Sequence, residues 1–259
     1  MVNGRSIKGL AAFVAAFFLF ARLRSYADNT GVPIRYRYPV RFDRWLFGGN
    51  DPVTWLQSHL GQTNHLGAID YLLVLVYISY FVVPPATVAL LWWTRSRAFP
   101  AFALTIVCTL YVGLAINFIV PTAPPWLAAE HGYLTYFPRL VPRVLNHVAP
   151  GIFKLGDNTA GPDDVAAMPS LHIGIVSVVA FYLMTRGRLG VVVGSLYIVA
   201  MSFALVFLGE HYVTDIAAGI LVALTCWLAV RWTLSHSYWR GEAERPAPFE
   251  RESAGAPRP

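Results

Sequence analysis

Long apolar segments alternate with short polar ones along this chain. About 20 residues of helix cross the hydrocarbon core of a bilayer, so an apolar run of that length predicts a transmembrane helix. We therefore predict an all-α, polytopic membrane protein, built as a bundle of six transmembrane helices. The second segment is long enough to tilt and to bend at Pro84-Pro85. The six apolar segments are residues 7–21, 67–93, 98–120, 167–185, 189–209 and 212–232.

The composition agrees with this prediction. Hydrophobic residues make up 56% of the 259 positions and charged residues 13%, more apolar than a soluble domain of this length requires. The net charge of +6 is carried almost entirely by Arg, but no basic block or recognition motif indicates nucleic-acid binding. The two cysteines, Cys108 and Cys226, lie inside apolar segments and indicate neither a disulfide nor a metal site.

We expect three regions: an N-terminal anchor helix with an interfacial segment (1–66), a membrane domain (67–236) and a disordered cytoplasmic tail (237–259). The tail has too little apolar surface to fold. The first apolar segment admits a second interpretation, a signal peptide cut after Ala27, because Ser25-Tyr26-Ala27 resembles a cleavage site. Arginines so close to that position disfavour cleavage, which favours an anchor or interfacial helix.

The arginines of the short loops predict the orientation, because cytoplasmic loops carry an excess of Lys and Arg. The loops at 94–97 and 185–188 hold two arginines each, and more follow in the tail. We therefore expect an integral protein of the plasma membrane with both termini in the cytoplasm and residues 121–166 outside. Six arginines within residues 22–44 also fall outside, where we expect that segment to lie along the lipid headgroups.

Two short histidine motifs each precede or open a late apolar segment. Met168–His172 reads Met-Pro-Ser-Leu-His, and Glu210–Asp215 reads Glu-His-Tyr-Val-Thr-Asp. His172 and His211 are 39 positions apart, which is two membrane crossings, so both imidazoles are expected at the same membrane surface. Ionisable side chains are costly in a bilayer and are candidates for function.

The residue types of these motifs suit phosphoryl transfer. His211 and Asp215 are spaced i, i+4 and share one face of a helix, and His172 joins them if the fourth and sixth spans pack together. One imidazole can then attack phosphorus while the carboxylate orients it, and the other imidazole can protonate the departing oxygen. The substrate-binding candidates are Ser170, with the free amides that follow it, and the basic residues Arg139, Arg143 and Lys154.

Other interpretations of the same residues stay open. Asp215 could be a structural partner of His211, and Arg139 or Arg143 could contact headgroup phosphates. Two histidines and a carboxylate could bind a metal, although no further ligand lies close to either motif, so we expect none. A non-catalytic transporter could use His and Asp to bind protons or headgroups.

The two motifs together resemble those of the type 2 phosphatidic acid phosphatase superfamily. That family carries Pro-Ser-Gly-His in one motif and Ser-Arg, five residues, His, three residues and Asp in another. Residues 169–172 match the first except for Leu171 in place of Gly, and His211 and Asp215 match the end of the second. Leu205 stands where the family has its Arg, Ala204 replaces the Ser, and the upstream Lys-x6-Arg-Pro motif is not found in that form.

One branch of the superfamily resembles the chain more closely. Pro-Ser-Leu-His, His211-Tyr212 followed by Asp215, and Ala123–Trp126 are similar to the fungal inositol-phosphorylceramide synthases and their bacterial relatives. Sphingomyelin synthases share the His-Tyr-x-x-Asp pattern.

The resemblance implies His211 as the nucleophile, Asp215 as its orienting carboxylate and His172 as the leaving-group acid. It also implies extracytoplasmic chemistry without a metal or cofactor. We expect a lipid phosphotransferase or phosphatase with a phosphohistidine intermediate, with inositol phosphate or a similar headgroup as the transferred unit. The alternative is a phosphatase of lipid phosphates such as phosphatidic acid or a polyprenyl phosphate. The oligomeric state stays open.

Overall fold

The computed structural model describes residues 4–27, 31–61, 65–149 and 167–243. Within these ranges the chain is helical and forms no strand, which confirms the predicted all-α class. The described residues form ten helices: α1 Gly4–Arg24, α2 Arg37–Leu46, α3 Pro52–Leu60, α4 Ala68–Trp93, α5 Phe99–Ile119, α6 Pro125–Glu130, α7 Leu140–Val148, α8 Leu171–Met184, α9 Arg188–Phe207 and α10 Val213–Ala243.

Four of the described helices are long and apolar enough to cross a membrane: α4, α5, α9 and residues Val213–Leu234 of α10. The fourth predicted span corresponds to the shorter apolar helix α8, and the first to α1, which is not among the four. An integral membrane protein is thus confirmed, and the count of six spans stays a prediction.

Helix α8 is the centre of the bundle. It packs against α4, α5, α9 and α10, and its residues Ile173–Ala180 are all buried. The outer helices instead expose large apolar side chains, which suits contact with lipid tails, since bilayer hydrocarbon is as apolar as these side chains. Examples are Leu72, Leu75, Leu196, Leu221 and Leu228. Because α8 and α10 pack together, the structure meets the condition under which His172 can lie close to His211 and Asp215.

Short helices cover the end of the bundle at which α8 and α10 begin. Helix α2 packs on α10, α3 on α9, and α7 on α4. Gln57 of α3 donates a hydrogen bond of 2.8 Å to the carbonyl of Phe207, the last residue of α9. Satisfying that helix-end carbonyl fixes α3 at this end of the bundle.

One predicted region boundary falls inside a helix. Helix α10 continues to Ala243, past residue 237, and the remainder of the segment predicted to be a disordered tail lies outside the described residues. Helix α4 continues through Pro84 and Pro85. The region boundaries at 66 and 236 stay predictions.

Candidate functional site

The two histidine motifs meet where α8 and α10 begin. Nδ1 of His172 lies 3.1 Å from Nε2 of His211, which is hydrogen-bonding distance, and the ring centroids are 5.3 Å apart. His172 lies in the first turn of α8, and His211 lies in the turn that precedes α10. The packing of two helix N-termini therefore brings together residues 39 positions apart in the chain.

The second ring nitrogen of His211 faces two oxygens. Its Nδ1 lies 3.0 Å from the carbonyl oxygen of Ala167 and 3.6 Å from Oδ2 of Asp215. Both neighbours are acceptors, so the proton of a neutral His211 lies on Nδ1. The lone pair is then on Nε2, which faces His172. This is the arrangement in which an imidazole acts as a nucleophile through Nε2.

Asp215 is held from several sides. Its side chain is fully buried, and Oδ2 accepts a hydrogen bond of 3.0 Å from the amide of Tyr212. Its backbone carbonyl accepts a hydrogen bond of 3.1 Å from the amide of Ser170. Because a buried carboxylate without partners is costly, these contacts and His211 fix its position. Asp215 thus links the two motifs through both its side chain and its backbone.

The segment around Thr122 positions Ala167, the acceptor for His211. The amide of Ala167 donates a hydrogen bond of 3.1 Å to the carbonyl of Thr122. Arg35 pairs with the same segment on its other side, through hydrogen bonds of 2.9 Å to the carbonyl of Pro121 and 3.2 Å from the amide of Ala123. The backbone of Pro121–Ala123 thus holds both Ala167 and Arg35 through hydrogen bonds.

Asp43 of α2 caps the first turn of α10. Its carboxylate, 1% exposed, accepts hydrogen bonds from the amides of Val213 (2.9 Å) and Thr214 (3.1 Å) and from the hydroxyl of Thr214 (2.5 Å). Burial raises the pKa of Asp43 above its ordinary value, although these hydrogen bonds lower it in part. Asp43 lies outside both histidine motifs. A buried carboxylate 170 positions away in the chain is recognisable as a cap only once the helices are packed.

Aromatic side chains of α4 form the wall beside His172. The His172 ring centroid lies 4.5 Å from that of Tyr80, 5.2 Å from that of Tyr77 and 6.2 Å from that of Phe81. These are ordinary distances for ring packing. The wall restricts the orientations open to the His172 ring and leaves its Nδ1 directed at His211.

The structure describes three of the four predicted substrate-binding residues, and these three differ in their contacts. Ser170 is fully buried, and its hydroxyl oxygen accepts from the amide of Ile173 at 3.4 Å, as the N-cap of α8. Arg139 pairs with Glu210, the neighbour of His211, at 3.3 Å, and its guanidinium stacks 4.0 Å from the ring of Trp126. Arg143 is half-buried on α7, about one helical turn after Arg139. Lys154 lies outside the described residues.

A tight turn links α9 to the second motif. Gly209 has a φ of +75°, and a Cβ there would collide with the ring of Phe137. The carbonyl of Leu205 accepts from the amides of both Glu210 (3.0 Å) and His211 (3.2 Å). The turn thus requires glycine and sets the direction in which His211 leaves α9.

In the described part of the chain, no group of three or more His, Cys, Asp or Glu side chains has the geometry to hold a metal ion. The arrangement provides a lone pair on one imidazole, a proton donor 3.1 Å away on the other and a carboxylate behind the first. These are the components of nucleophilic catalysis with a general acid.

A sequence model of the PAP2 superfamily matches residues 40–229. The chain belongs to the PAP2 superfamily. The matched part contains α3 to α9, parts of α2 and α10, and all three of His172, His211 and Asp215, whereas α1 precedes it. The family membership predicted from the two motifs is confirmed.

Two relatives are named as synthases of inositol-containing sphingolipids. The chain is 27% identical over 215 residues to phosphoinositol dihydroceramide synthase of Bacteroides thetaiotaomicron, covering 78% of this chain and 69% of that protein. It is 25% identical over 231 residues to the inositol phosphorylceramide synthase catalytic subunit aur1 of Schizosaccharomyces pombe. That match covers 81% of this chain and 50% of the yeast protein, so the chain spans half of that relative's length. No solved structure matches the chain.

The main departure from the PAP2 superfamily pattern is Leu205, which replaces an arginine. Leu205, at the position of the family's Arg, is fully buried in an apolar cluster with Ile173, Val176 and Tyr212. This position therefore supplies packing between α8, α9 and the second motif. A cation that binds a phosphate here has to come from another part of the chain.

Proposed function

We propose that this protein is a membrane-embedded lipid phosphotransferase that works through a covalent phosphohistidine on His211. The observation that carries the proposal is the 3.1 Å approach of His172 Nδ1 to His211 Nε2, with Nδ1 of His211 facing Ala167 and Asp215. A pair of histidines used only for packing would not need a buried carboxylate behind one of them. Membership of the PAP2 superfamily supports the same chemistry.

In the first step, the Nε2 lone pair of His211 attacks the phosphorus of a lipid phosphoester. A nitrogen–phosphorus bond forms, and the bond from phosphorus to the departing oxygen breaks. His172, as the imidazolium, gives its Nδ1 proton to that oxygen. The positive charge that develops on His211 is balanced by Asp215, whose Oδ2 lies 3.6 Å from Nδ1.

In the second step, the hydroxyl group of an acceptor takes the place of the departed alcohol. Neutral His172 accepts the hydroxyl proton, the acceptor oxygen attacks phosphorus, and the nitrogen–phosphorus bond breaks. Both histidines return to their starting protonation states. Water in place of the alcohol would give a phosphatase with the same residues.

The separation of the two imidazoles indicates that substrate binding moves them apart. Reacting atoms lie about 3–3.5 Å from one another before bond formation. A phosphoryl group between Nε2 of His211 and Nδ1 of His172 therefore requires more space than the 3.1 Å that now separates these nitrogens. His172, in the first turn of α8 against the aromatic wall, is the ring that has to turn.

An inositol phosphate or a similar polyol phosphate is the transferred unit that we favour. Both named relatives are synthases of inositol-containing sphingolipids, and the motifs that resemble that branch are part of this site. Ser170, Arg139, Arg143 and Lys154 stay the proposed substrate-binding residues. Arg139 is the best placed of them, since Glu210 and Trp126 hold its guanidinium beside the second motif.

We also propose that the site opens to the extracytoplasmic face of the plasma membrane. The helix ends that carry His172 and His211 lie at the end of the bundle opposite the arginine-bearing loops at 94–97 and 185–188. Lysine and arginine are retained on the cytoplasmic side, so the histidines face the other side.

A double-label experiment tests the proposal. The purified full chain is mixed with phosphatidylinositol that carries one radiolabel in the phosphate and another in the inositol ring. An alkali-stable, acid-labile adduct with both labels is expected, because the whole headgroup stays on His211 until the acceptor attacks. His211→Ala should give no adduct. His59→Ala is the matched control, since His59 is exposed and stacks on Trp55 away from the motifs.

The other outcomes separate the alternatives. An adduct that forms only with labelled phosphatidic acid, and turnover that needs no alcohol, would assign a lipid phosphate phosphatase. Turnover that is unchanged in His211→Ala would reject the covalent mechanism. Loss of activity in chelator, restored by a divalent ion, would contradict metal-independent chemistry.

A further inference from the structure

Two tyrosines of α4 bring hydroxyl groups to the side of His172. The ring centroids of Tyr80 and Tyr77 lie 4.5 Å and 5.2 Å from that of His172, and both side chains are half-buried. The two residues are three positions apart in the chain and share one face of the helix. These ring contacts place both phenol groups against the imidazole that is the proposed acid.

The direction of α4 turns both hydroxyl groups toward the candidate site. Helix α4 ends at Trp93, next to the loop at 94–97, so it begins at the end of the bundle where the two histidine motifs meet. Long side chains on a helix lean toward the N-terminus of that helix. The hydroxyl groups of Tyr77 and Tyr80 therefore lean toward the end of the bundle that holds His172 and His211.

Within the described ranges of the chain, neither of these two hydroxyl groups has a hydrogen-bond partner. Other tyrosines of the bundle do have one: the hydroxyl groups of Tyr197, Tyr111, Tyr71 and Tyr38 lie within hydrogen-bonding distance of Ser79, the carbonyl of Ala16, His147 and Thr122, respectively. A half-buried tyrosine hydroxyl usually has a partner. A bound group that accepts hydrogen bonds would supply one to Tyr77 and Tyr80.

Ring packing does not explain the two hydroxyl groups. Phe81 belongs to the same aromatic wall, with its ring centroid 6.2 Å from that of His172, and packs there without a hydroxyl. A phenylalanine would therefore serve the wall as well as a tyrosine does. The hydroxyl groups of Tyr77 and Tyr80 require a reason other than the orientation of the His172 ring.

The proposed reaction requires hydrogen-bond donors at this place. A phosphate in transfer carries negative charge on its non-bridging oxygens, and donors fixed around it stabilise that charge. Leu205 supplies no donor, and the guanidinium of Arg139 is paired with Glu210. A tyrosine hydroxyl donates one hydrogen bond, so Tyr77 and Tyr80 can supply two.

We propose that the hydroxyl groups of Tyr77 and Tyr80 donate hydrogen bonds to the non-bridging oxygens of the phosphate that reacts with His211. This inference rests on the proposed function, because it requires a phosphate between His211 and His172. It gives α4 a direct part in substrate binding, in addition to the packing of its aromatic rings on His172.

Tyr77→Phe and Tyr80→Phe test this inference, because each substitution removes a hydroxyl and keeps the ring. Tyr197→Phe is the matched control, since it removes a hydroxyl whose partner, Ser79 at 2.9 Å, belongs to the protein. Turnover of labelled phosphatidylinositol by the full chain is compared with turnover of its phosphorothioate analogue, in which sulfur replaces one non-bridging oxygen. Both stereoisomers of the analogue are used. Where an isomer binds but is not turned over, its inhibition constant is compared instead.

Tyr77→Phe and Tyr80→Phe should each lower kcat/KM for phosphatidylinositol by about tenfold to a hundredfold, the range for a lost hydrogen bond to a charged group. The loss should shrink to less than about threefold with the isomer whose sulfur faces the tyrosine, because sulfur is a weak acceptor. The melting temperatures of both variants should stay close to that of the unaltered chain. Tyr197→Phe should instead lower the melting temperature and leave kcat/KM within about twofold, since the hydrogen bond that it removes is internal.

Turnover that is equal in the unaltered chain, in both variants and in the double variant would overturn the inference and leave the proposed function intact. A loss of the same size with phosphatidylinositol and with both phosphorothioate isomers would also overturn it, since the hydroxyl groups would then act through the position of His172. A loss in one variant alone would assign the phosphate contact to that tyrosine. If one variant does not fold, as judged by its melting curve, the other decides. If the unaltered chain turns over no labelled lipid, the proposed function fails, and this inference fails with it.

Discussion

Nδ1 of His172 lies 3.1 Å from Nε2 of His211, within hydrogen-bonding distance. The two nitrogens are not equivalent. Nε2 of His211 carries the lone pair because Nδ1 of the same ring faces Ala167 and Asp215, so His172 is the donor of the pair. This asymmetry gives the two residues different proposed tasks, and each task predicts a different response to substitution.

Two esters with different leaving groups can distinguish the role of the acid from that of the nucleophile. Without its acid, an alkoxide has to depart unprotonated, so His172→Ala should slow the release of a glycerol-type alcohol by about 10²- to 10⁴-fold. Cleavage of a phosphoester with an aryl leaving group needs no acid, so its rate should fall by less than about tenfold in His172→Ala. His211→Ala should remove turnover of both. Steady-state rates with the two esters check this prediction. An equal loss of rate with both esters in His172→Ala would contradict the role of His172 as the acid.

Asp43 should affect catalysis as well as stability. Removing its carboxylate in Asp43→Ala leaves the first amides of α10 unsatisfied, at about 1 kcal/mol or more for a lost cap, and frees the turn that carries His211. We expect a lower melting temperature, and a kcat that falls more than KM changes. Asp43→Asn keeps an acceptor oxygen and should recover part of both.

Asp51 provides the matched control, because it caps α3 through a hydrogen bond of 3.1 Å from the amide of Val53. Asp51→Ala should lower the melting temperature by a similar amount and leave kcat close to that of the unaltered chain. A kcat that falls equally in the two variants would mean that Asp43 contributes to stability alone.

The raised pKa of Asp43 predicts a pH dependence of stability. Burial holds a proton on the folded carboxyl to a higher pH than the ordinary value of 3.8, so the folded state binds more protons than the unfolded state between these two values. The free energy of unfolding should therefore fall as the pH rises through that window and stay level above it. Melting temperatures recorded across this window should show a smaller slope in Asp43→Asn. An identical slope would show that the Asp43 carboxyl does not titrate differently in the folded protein.

Gly219 controls the distance between α8 and α10. A Cβ at this position would collide with the backbone carbonyl of Ser170 and with the side chain of Ile173, both next to His172. Gly219→Ala should therefore push α10 away from α8, separate the two imidazoles and reduce kcat by at least about tenfold, since small displacements of catalytic groups have large effects. The measurement is kcat per folded molecule.

Gly194 is the control for that substitution. A Cβ there would lie 2.8 Å from the carbonyl oxygen of Ala180, a contact of the same kind between α9 and the middle of α8. Gly194→Ala should lower the melting temperature but leave kcat per folded molecule close to normal. If Gly219→Ala behaves in the same way, the α8–α10 spacing is not what positions the histidines.

The sequence predicted the parts of this protein that local patterns determine. The apolar segments become helices because each is long and uninterrupted, and His211 and Asp215 share a face because a helix repeats every 3.6 residues. His172 was expected at the same membrane surface as His211 because two membrane crossings return the chain to the surface that it left. Ser170 was recognised as part of the first motif, although its role as the N-cap of α8 was not predicted.

The contacts that complete the site could not be predicted in this way. Ala167 competes with Asp215 for Nδ1 of His211 through a backbone carbonyl, which no side-chain pattern reveals. Asp43 belongs to a segment rich in arginines and aromatics, where it resembles an interfacial residue. Its partners Val213 and Thr214 are 170 and 171 positions away in the chain, so only the packed helices identify it as a cap.

The hydrogen bonds from Val213 and Thr214 to Asp43 have a consequence for the order of assembly. Ribosomes complete α2 long before α10, since 170 residues separate Asp43 from Val213. During synthesis, the carboxylate of Asp43 therefore lacks these partners until α10 has been inserted. The step that buries this carboxylate also aligns His211 with His172. In an incompletely inserted chain the two histidines therefore stay apart until α10 is in place.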